Sequence, residues 1–298
     1  MSADAPELIA SVGDNCVDVS LPEPGPADGV APSTPVPASG QAPAELAGGN
    51  AFNVATVLAR SGRPVAYLGA VGDDRPGQLI IDAGLAAGVD MSRVVRASAP
   101  TGRTVVSRNA GGERHFVSED YGAAAQYRLD AETAGWLAGA GWLHFARQPD
   151  VARWAGELRA GGATISCDLG YAGGVQELDA VAPATDLVFM SASAEPELTA
   201  EQMLGRALDA GARLAVVTLG GAGSVAAAGD SRWHCGPAPV ARVVDTLGAG
   251  DAYIAAFIAA RMDGAEVEQA MQAGALAGAA ACTQWGLAGV VQMGRVTA

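Results

Sequence analysis

WLHFA (142–146), TISCDLG (164–170), DLVFMS (186–191) and RLAVVTLG (213–220) follow one another through the second half of the chain. Each is a short, nearly continuous apolar run, and helical patterns lie between them at about 147–160 and 196–210. Strands apolar on both faces that alternate with helices predict a mostly parallel central sheet covered by helices on both sides, an α/β fold. Upstream the pattern continues. LIASVGDN (8–15) and PVAYLGAVG (64–72) read as strands, AFNVATVLARSG (51–62) and PGQLIIDAGLAAG (76–88) as helices, the latter opened by Pro. Downstream, 224–243 reads as a hairpin-like region, and Asp251 to about Ala281 as helices rich in small residues.

Two stretches break the alternation. TGRTVVSRNAGGERHFVSED (101–120) reads as two strands joined by a turn at Asn109–Gly112, with one wet face. Residues 21–45 hold seven prolines and show no period, so they read as a loop or an edge-strand insertion. The expectation is one domain over 1–298, with a small accessory sheet, or lid, built from about 16–48 and 98–120.

Composition narrows the chemistry. All 18 basic residues are Arg, against 32 acidic residues, for a formal charge of −14. A lysine Schiff base and a phosphate loop closed by GK[ST] are excluded. So acidic a chain is not expected to bind nucleic acid. The 50% hydrophobic content argues for a packed, soluble chain. The Ala-rich run at 273–281 is too short and Gly-broken to cross a bilayer, and MSADAPELIA lacks the pattern of a signal peptide. A cytoplasmic location with reduced thiols is therefore expected. Cys16, Cys167, Cys235 and Cys282 share no CxxC spacing, and with three His they do not suggest a zinc cluster.

The strongest local signal is VVDTLGAGDAYIAAFIAA (243–260). A strand end leads through Asp245, Thr246 and Leu247 into the small residues Gly248, Ala249 and Gly250, and a helix starts at Asp251. Free N–H groups at such a turn and helix start form an anion cradle that needs no Lys. A carboxylate at its end suits a general base for a hydroxyl attacking a phosphoryl group. The same pattern also reads as an ordinary turn with Asp251 capping the helix.

DTLGAGD resembles the C-terminal signature of the PfkB, or ribokinase-like, sugar kinases. AGGNAFNVA (47–55) resembles that family's early Gly-Gly sugar-binding segment, GAVGDDRPG (69–77) its next conserved stretch, and VVTLGGAGS (216–224) the strand and turn beside its nucleotide site. SVGDNCVDVS, FMSASAEPE and the two glycine-rich motifs together resemble the branch acting on Amadori-type sugar amines, fructoselysine among them.

The resemblance implies a ribokinase-like fold with a small β-sheet lid. It also implies transfer of the ATP γ-phosphoryl group to a primary hydroxyl of a small sugar or sugar amine, with Mg²⁺ as cofactor. Asp251 is then the catalytic base, and Gly248, Ala249 and Gly250 form the anion hole. Gly48, Gly49, Asn50, Asn53 and Asp18 face the sugar. Asp14 and Asn15 end the first strand, where α/β enzymes place ligand contacts; Asp14 also reads as a loop-start cap. An acid in the sugar site suits an ammonium group. Thr218, Gly220, Gly221, Gly223 and Thr246 are expected to line the nucleotide, and Asp168 to face the triphosphate or its Mg²⁺. One of the hairpin arginines Arg103, Arg108 and Arg114 could reach a phosphate as a bidentate donor, with Arg103 the candidate substrate contact; each also reads as a solvated surface residue. Exposed edge strands of the lid invite pairing into a homodimer.

Two positions depart from the family pattern. Asn50 stands where a basic residue or glycine is usual. Ser191-Ala192-Ser193-Ala194-Glu195 replaces an Asn-x-x-Glu motif. That leaves Glu195 either to hold Mg²⁺-bound water or to begin the next helix ahead of Pro196. His144, inside a buried strand, reads as a core residue. Other acceptors (2-keto-3-deoxygluconate, fructose, ribose, a nucleoside) and a non-catalytic sensor remain open. A dinucleotide-dependent oxidoreductase would require a GxGxxG that SVGDNCVD does not supply.

Overall fold

The computed structural model describes residues 7–20, 45–108 and 114–287. Its strands are β1 (Ile9–Gly13), β2 (Cys16–Ser20), β3 (Glu45–Gly48), β4 (Val65–Leu68), β5 (Ala70–Gly72), β6 (Val95–Ala97), β7 (Thr101–Arg108), β8 (Arg114–Gly122), β9 (Trp142–Ala146), β10 (Thr164–Asp168), β11 (Leu187–Ser191), β12 (Leu214–Thr218), β13 (Ser224–Ala228) and β14 (Ser231–Cys235). Its α-helices are α1 (Asn50–Arg60), α2 (Arg75–Ala86), α3 (Ala131–Leu137), α4 (Ala155–Ala160), α5 (Leu178–Val181), α6 (Ala200–Asp209), α7 (Ala249–Met262) and α8 (Val267–Ala281).

The main sheet has eight strands in the order β14-β13-β12-β11-β10-β9-β1-β4. Pairing is parallel from β12 to β4, and β13 and β14 finish one edge as an antiparallel hairpin. Alternate strand residues enter two separate cores, as a sheet buried on both faces requires. Ile9, Trp142, Phe189 and Val216 pack with the apolar residues of α1, α7 and α8. Ala10, Leu143, Val188 and Val217 pack on the opposite side with Leu137, Leu158 and Leu204. A second, four-stranded sheet has the order β3-β2-β7-β8. This is the expected α/β architecture with its small separate sheet. Strand β1 lies between β4 and β9, so the chain leaves it in one direction and returns on the other side. Such a reversal opens a crevice at the carboxyl ends of the strands.

Several boundaries differ from the sequence reading. The run 64–72 is two strands in different sheets, because the chain breaks at Gly69, where a Cβ would lie 2.3 Å from the Tyr67 hydroxyl. The hairpin at 224–243 ends at Cys235, since Pro237 and Pro239 cannot extend the ladder. Helix α6 starts at Ala200, not 196, because Thr199 and Gln202 form a capping box. Strands β3 and β6 and helices α3 and α5 carried too little period to be read. The turn at Asn109–Gly112 and the insertion up to residue 44 lie outside the described residues. No helix among the described residues is long and apolar enough to cross a membrane.

Gly49 joins β3 to α1 with φ +106, and a Cβ there would lie 2.4 Å from the Asn15 Cα. Gly62 shares the left-handed backbone, φ +87, but faces open space. Gly49→Ala should therefore destabilise the protein by about 3 kcal/mol or more, and Gly62→Ala by about 1 kcal/mol. Urea denaturation measures both; equal losses would remove the steric argument.

Candidate active site

The site begins with Asp14, buried directly after β1. Its Oδ2 accepts the N–H of Asn50 at 3.1 Å and its Oδ1 that of Ala51 at 3.0 Å. The residue before α1 is Gly49, which has no side chain, so Asp14 satisfies orphan donors of that helix from across the crevice. The first turn of α1 then presents two amides. Asn50 Nδ2 donates to Asp168 Oδ2 at 3.0 Å, and Asn53 Nδ2 donates to Asp251 Oδ2 at 2.7 Å.

Asp251 lies in the first turn of α7. Gly248 caps that helix with φ +77, and Asp245 fixes the preceding turn by accepting the Leu247 N–H at 2.9 Å. The Ala249 N–H closes onto the Thr246 carbonyl at 3.3 Å. Those of Gly248, Gly250 and Asp251 have no acceptor among the described residues. Of the expected donors at 248–250, Ala249 is thus engaged, while Gly248 and Gly250 are open together with Asp251. Two contacts hold α7 in place. Phe257 meets Phe189 of β11 edge-on, with ring centroids 5.3 Å apart. On its other side Gly274 of α8 lies so close to Tyr253 that a Cβ would come within 2.8 Å of the ring.

Two cavities meet at this helix start. One, of about 540 Å³, is walled by Asp14, Asp18, Gly49, Asn50, Asn53, Asp168, Gly248, Gly250 and Asp251 among others. The second, of about 520 Å³, is walled by Thr218, Gly220, Gly221, Gly223, Thr246, Ala249 and Gly250, with Gly278 and Ala279 of α8 opposite. Ser191, Ser193, Thr218 and Gly250 border both. One space thus opens to the carboxylates and the other to the glycine-rich turn, with free N–H groups at the boundary.

Several expected residues stand elsewhere. Asn15 is wholly buried and off both walls; its amide donates to the Tyr67 hydroxyl and the Ala70 carbonyl, each at 2.9 Å. Gly48 is also off the wall, and its lack of a side chain makes room for Asp18, whose Oδ2 would lie 2.2 Å from a Cβ. Arg103 points away from the cavity and pairs with Glu45 at 3.1 Å. The side chains of Arg108 and Arg114 lie outside the described residues. Glu195 borders neither cavity: its Oε1 accepts the N–H groups of Gly173 and Val175 at 3.0 and 3.4 Å. It does not begin the next helix either. Asp168 lines the acidic cavity but not the glycine-rich one. His144 is a core residue, its Nδ1 3.0 Å from the Ser166 hydroxyl and its pKa lowered by burial to about 3.

Arg147 was missed. It follows β9, lines the acidic cavity, and packs on the rings of Tyr121 and Tyr171. The available signal was positional: an Arg straight after a buried parallel strand belongs at the ligand end of the sheet.

Burial and mutual repulsion set the charges. Burial pushes the Asp251 carboxyl well above the usual carboxylate range; the neighbouring Asp168 adds to the rise and the Asn53 amide opposes it. Burial raises Asp168 to about 6, against its bonds from the Gly170 N–H and the Asn50 amide. Asp14 is also raised by burial, with the Ala51 N–H and Arg147 opposing. A base with a raised pKa beside free N–H donors is an arrangement for taking a proton from a hydroxyl while an anion is transferred. Among the described residues no group of three His, Cys, Asp or Glu is placed to hold a metal.

Fold, paired cavities and raised-pKa aspartate define an enzyme of the sugar-kinase class. The chain belongs to the pfkB family of carbohydrate kinases, whose model matches residues 6–292. It is accordingly an ATP-dependent carbohydrate kinase acting on small-molecule sugars. It is similar to fructoselysine 6-kinase of Shigella flexneri, 32% identical over 269 residues, covering 90% of this chain and 94% of the relative. Acarbose 7(IV)-phosphotransferase of Actinoplanes is 33% identical over 251 residues, 80% of each chain. Among solved structures, Arabidopsis thaliana ribokinase, complexed with ribose and ATP, superposes with a TM-score of 0.77 at 24% identity over 96% of each chain and shares the fold.

The raised pKa of Asp251 fixes two signs. If Asp251 is the base, it works only when ionised, so kcat/KM should fall with decreasing pH along a limb above the ordinary aspartate value. Asp168→Asn, which removes a like charge, should shift that limb down; Asn53→Ala, which removes a donor, should shift it up. Shifts in the reverse order would contradict the assignment. Folding raises the affinity of Asp251 for its proton, so its charge destabilises the fold at pH above the raised pKa. Asp251→Asn should therefore raise the melting temperature at pH 8, and the gain should shrink as pH falls through that pKa.

Proposed function

We propose that this kinase phosphorylates the primary 6-hydroxyl of a fructosamine, with fructoselysine the leading acceptor. The observation that carries this is the acidic wall of the larger cavity, where Asp14, Asp18, Glu119, Asp168 and Asp251 surround one space. Carboxylates accept from sugar hydroxyls, and this density of them also suits a substrate ammonium. The cavity volume lies in the range that takes ligands with an appended chain. Similarity to a relative named fructoselysine 6-kinase supports the same acceptor class.

In this reading Asp251 takes the proton from the attacking hydroxyl. The N–H groups at the start of α7 receive the charge of the transferred phosphoryl group across the Gly250 boundary. Asn53 orients Asp251, and Asn50 does the same for Asp168. ATP occupies the glycine-rich cavity beside Thr218, Gly220, Gly221, Gly223 and Thr246. Mg²⁺ bound with the phosphates would neutralise their charge; the glycine-rich wall itself carries no carboxylate to hold it, so the ligand would come from the neighbouring acidic wall. Asp168 is the wall carboxylate suited to meet it, in place of Glu195. The small sheet acts as a lid on one domain, its exposed edges suit a homodimer, and the enzyme works in the cytoplasm.

ATP consumption should be highest with fructoselysine when it is compared with fructose, 2-keto-3-deoxygluconate and ribose. Preference for another of these would replace the acceptor, and ADP release with none would end the proposal. Asp251→Asn should lower kcat about 10²–10⁴-fold while ATP affinity changes less than about 2-fold. A retained rate would remove Asp251 as the base.

A further inference from the structure

Arg147 has an unusual setting. It is the one described residue other than glycine with a left-handed backbone, φ 50. Such a conformation is unfavourable for a long side chain and persists where the surroundings hold it, most often at ligand sites. The guanidinium carbon lies 3.9 Å from the Tyr171 ring centroid and 4.4 Å from that of Tyr121, so two aromatic rings pack on the group. Among the described residues its one ion pair is with Asp14, at 3.8 Å, beyond hydrogen-bond distance, and its charge also reaches Asp168 on the same wall. Asp14 already accepts two backbone N–H groups at about 3 Å, so pairing with it does not account for the Arg. The side chain is 22% exposed and lines the acidic cavity.

This is a lone cation on a wall of carboxylates. Neutral hydroxyls and an ammonium have no need of it. ATP phosphates are a poor match as well: the glycine-rich cavity begins at Ser191, at the end of β11, two strands from β9 and about 10 Å away at roughly 4.8 Å per strand, and Arg147 is not on its wall. A planar guanidinium held against aromatic rings presents N–H groups along its rim, the geometry that grips a carboxylate in bidentate fashion.

We infer that Arg147 is a specificity residue that binds a carboxylate carried by the acceptor, away from the hydroxyl to be phosphorylated. The inference builds on the proposed acceptor, in which an amino-acid carboxylate is joined to the sugar. Tyr121 and Tyr171 position the guanidinium, and Arg147 takes no part in proton or phosphoryl transfer.

The test compares acids with their isosteric carboxamides: fructoselysine with its α-carboxamide, and 2-keto-3-deoxygluconate with its carboxamide. The wild-type enzyme should prefer the acid of its working pair by about 10- to 100-fold in kcat/KM, as expected for a charged hydrogen-bonded pair, mostly through KM. Arg147→Gln should bring that ratio close to one, and Arg147→Lys should leave an intermediate value. A wild-type ratio near one, or a ratio that survives in Arg147→Gln, would overturn the inference; the wild-type ratio needs no variant to fold. If only the ketodeoxygluconate pair is phosphorylated and its ratio collapses in Arg147→Gln, the fructosamine reading falls and the carboxylate site stands. If only neutral sugars are phosphorylated, the site falls.

Discussion

The two hydrogen bonds from Asn50 and Ala51 to the Asp14 carboxylate set the rest of the site. They tie the start of α1 to the end of β1, where the order of the main sheet reverses. A helix anchored at its first turn has its next side chains fixed in direction. Asn50 therefore reaches Asp168 at the end of β10, and Asn53 reaches Asp251 at the start of α7. Three separate segments meet through one helical turn. Gly49 is part of the same arrangement, since a side chain there would strike the backbone of Asn15. A group that looks like a ligand contact from the sequence is thus also a structural joint, and each amide it positions restrains a carboxylate that would otherwise repel its neighbours.

That repulsion follows from a lysine-free chain with a formal charge of −14. Two carboxylates about 5 Å apart repel by roughly 3 kcal/mol at an effective dielectric near 20. The crevice accommodates the burden in two ways. Burial and repulsion raise the carboxyl pKa values, so part of the charge is neutralised at moderate pH. Positive potential is supplied locally, by the N–H groups of α7 and the guanidinium of Arg147. The same crowding brings an aspartate nearer the range useful to a general base, so the acidic composition and the chemistry have a common cause.

The sequence was most legible where local physics decides the outcome. Continuous apolar runs gave β9 to β12, and the small residues of 248–250 announced a helix start with open donors. Part of each cavity wall came from those two signals together with the family resemblance. Contacts between distant segments were the part that stayed hidden. Nothing near Glu195 in the chain reveals that Gly173 and Val175 occupy its carboxylate, and nothing near Arg103 reveals Glu45. Asn15 sits one residue from Asp14, yet in the link between β1 and β2 its amide turns to the buried hydroxyl of Tyr67. Arg147 owes its position to a left-handed turn and two rings from other elements, neither of which has a local signature.

The larger cavity belongs to no single element. Cys16 and Asp18 come from β2, Thr104 from β7, and Glu119 and Tyr121 from β8, all in the small sheet. Asp14, Arg147 and Asp168 come from the ends of strands in the main sheet, and Asp251 from α7. An acceptor filling this space must touch both sheets. If the proposed acceptor fills this space, binding energy from its end remote from the hydroxyl can hold the sheets together and exclude water from the boundary at Gly250. In that reading a small sheet carrying part of the acceptor wall makes recognition and closure the same event. That coupling is what a kinase needs if ATP is to be spent on its acceptor and not on water.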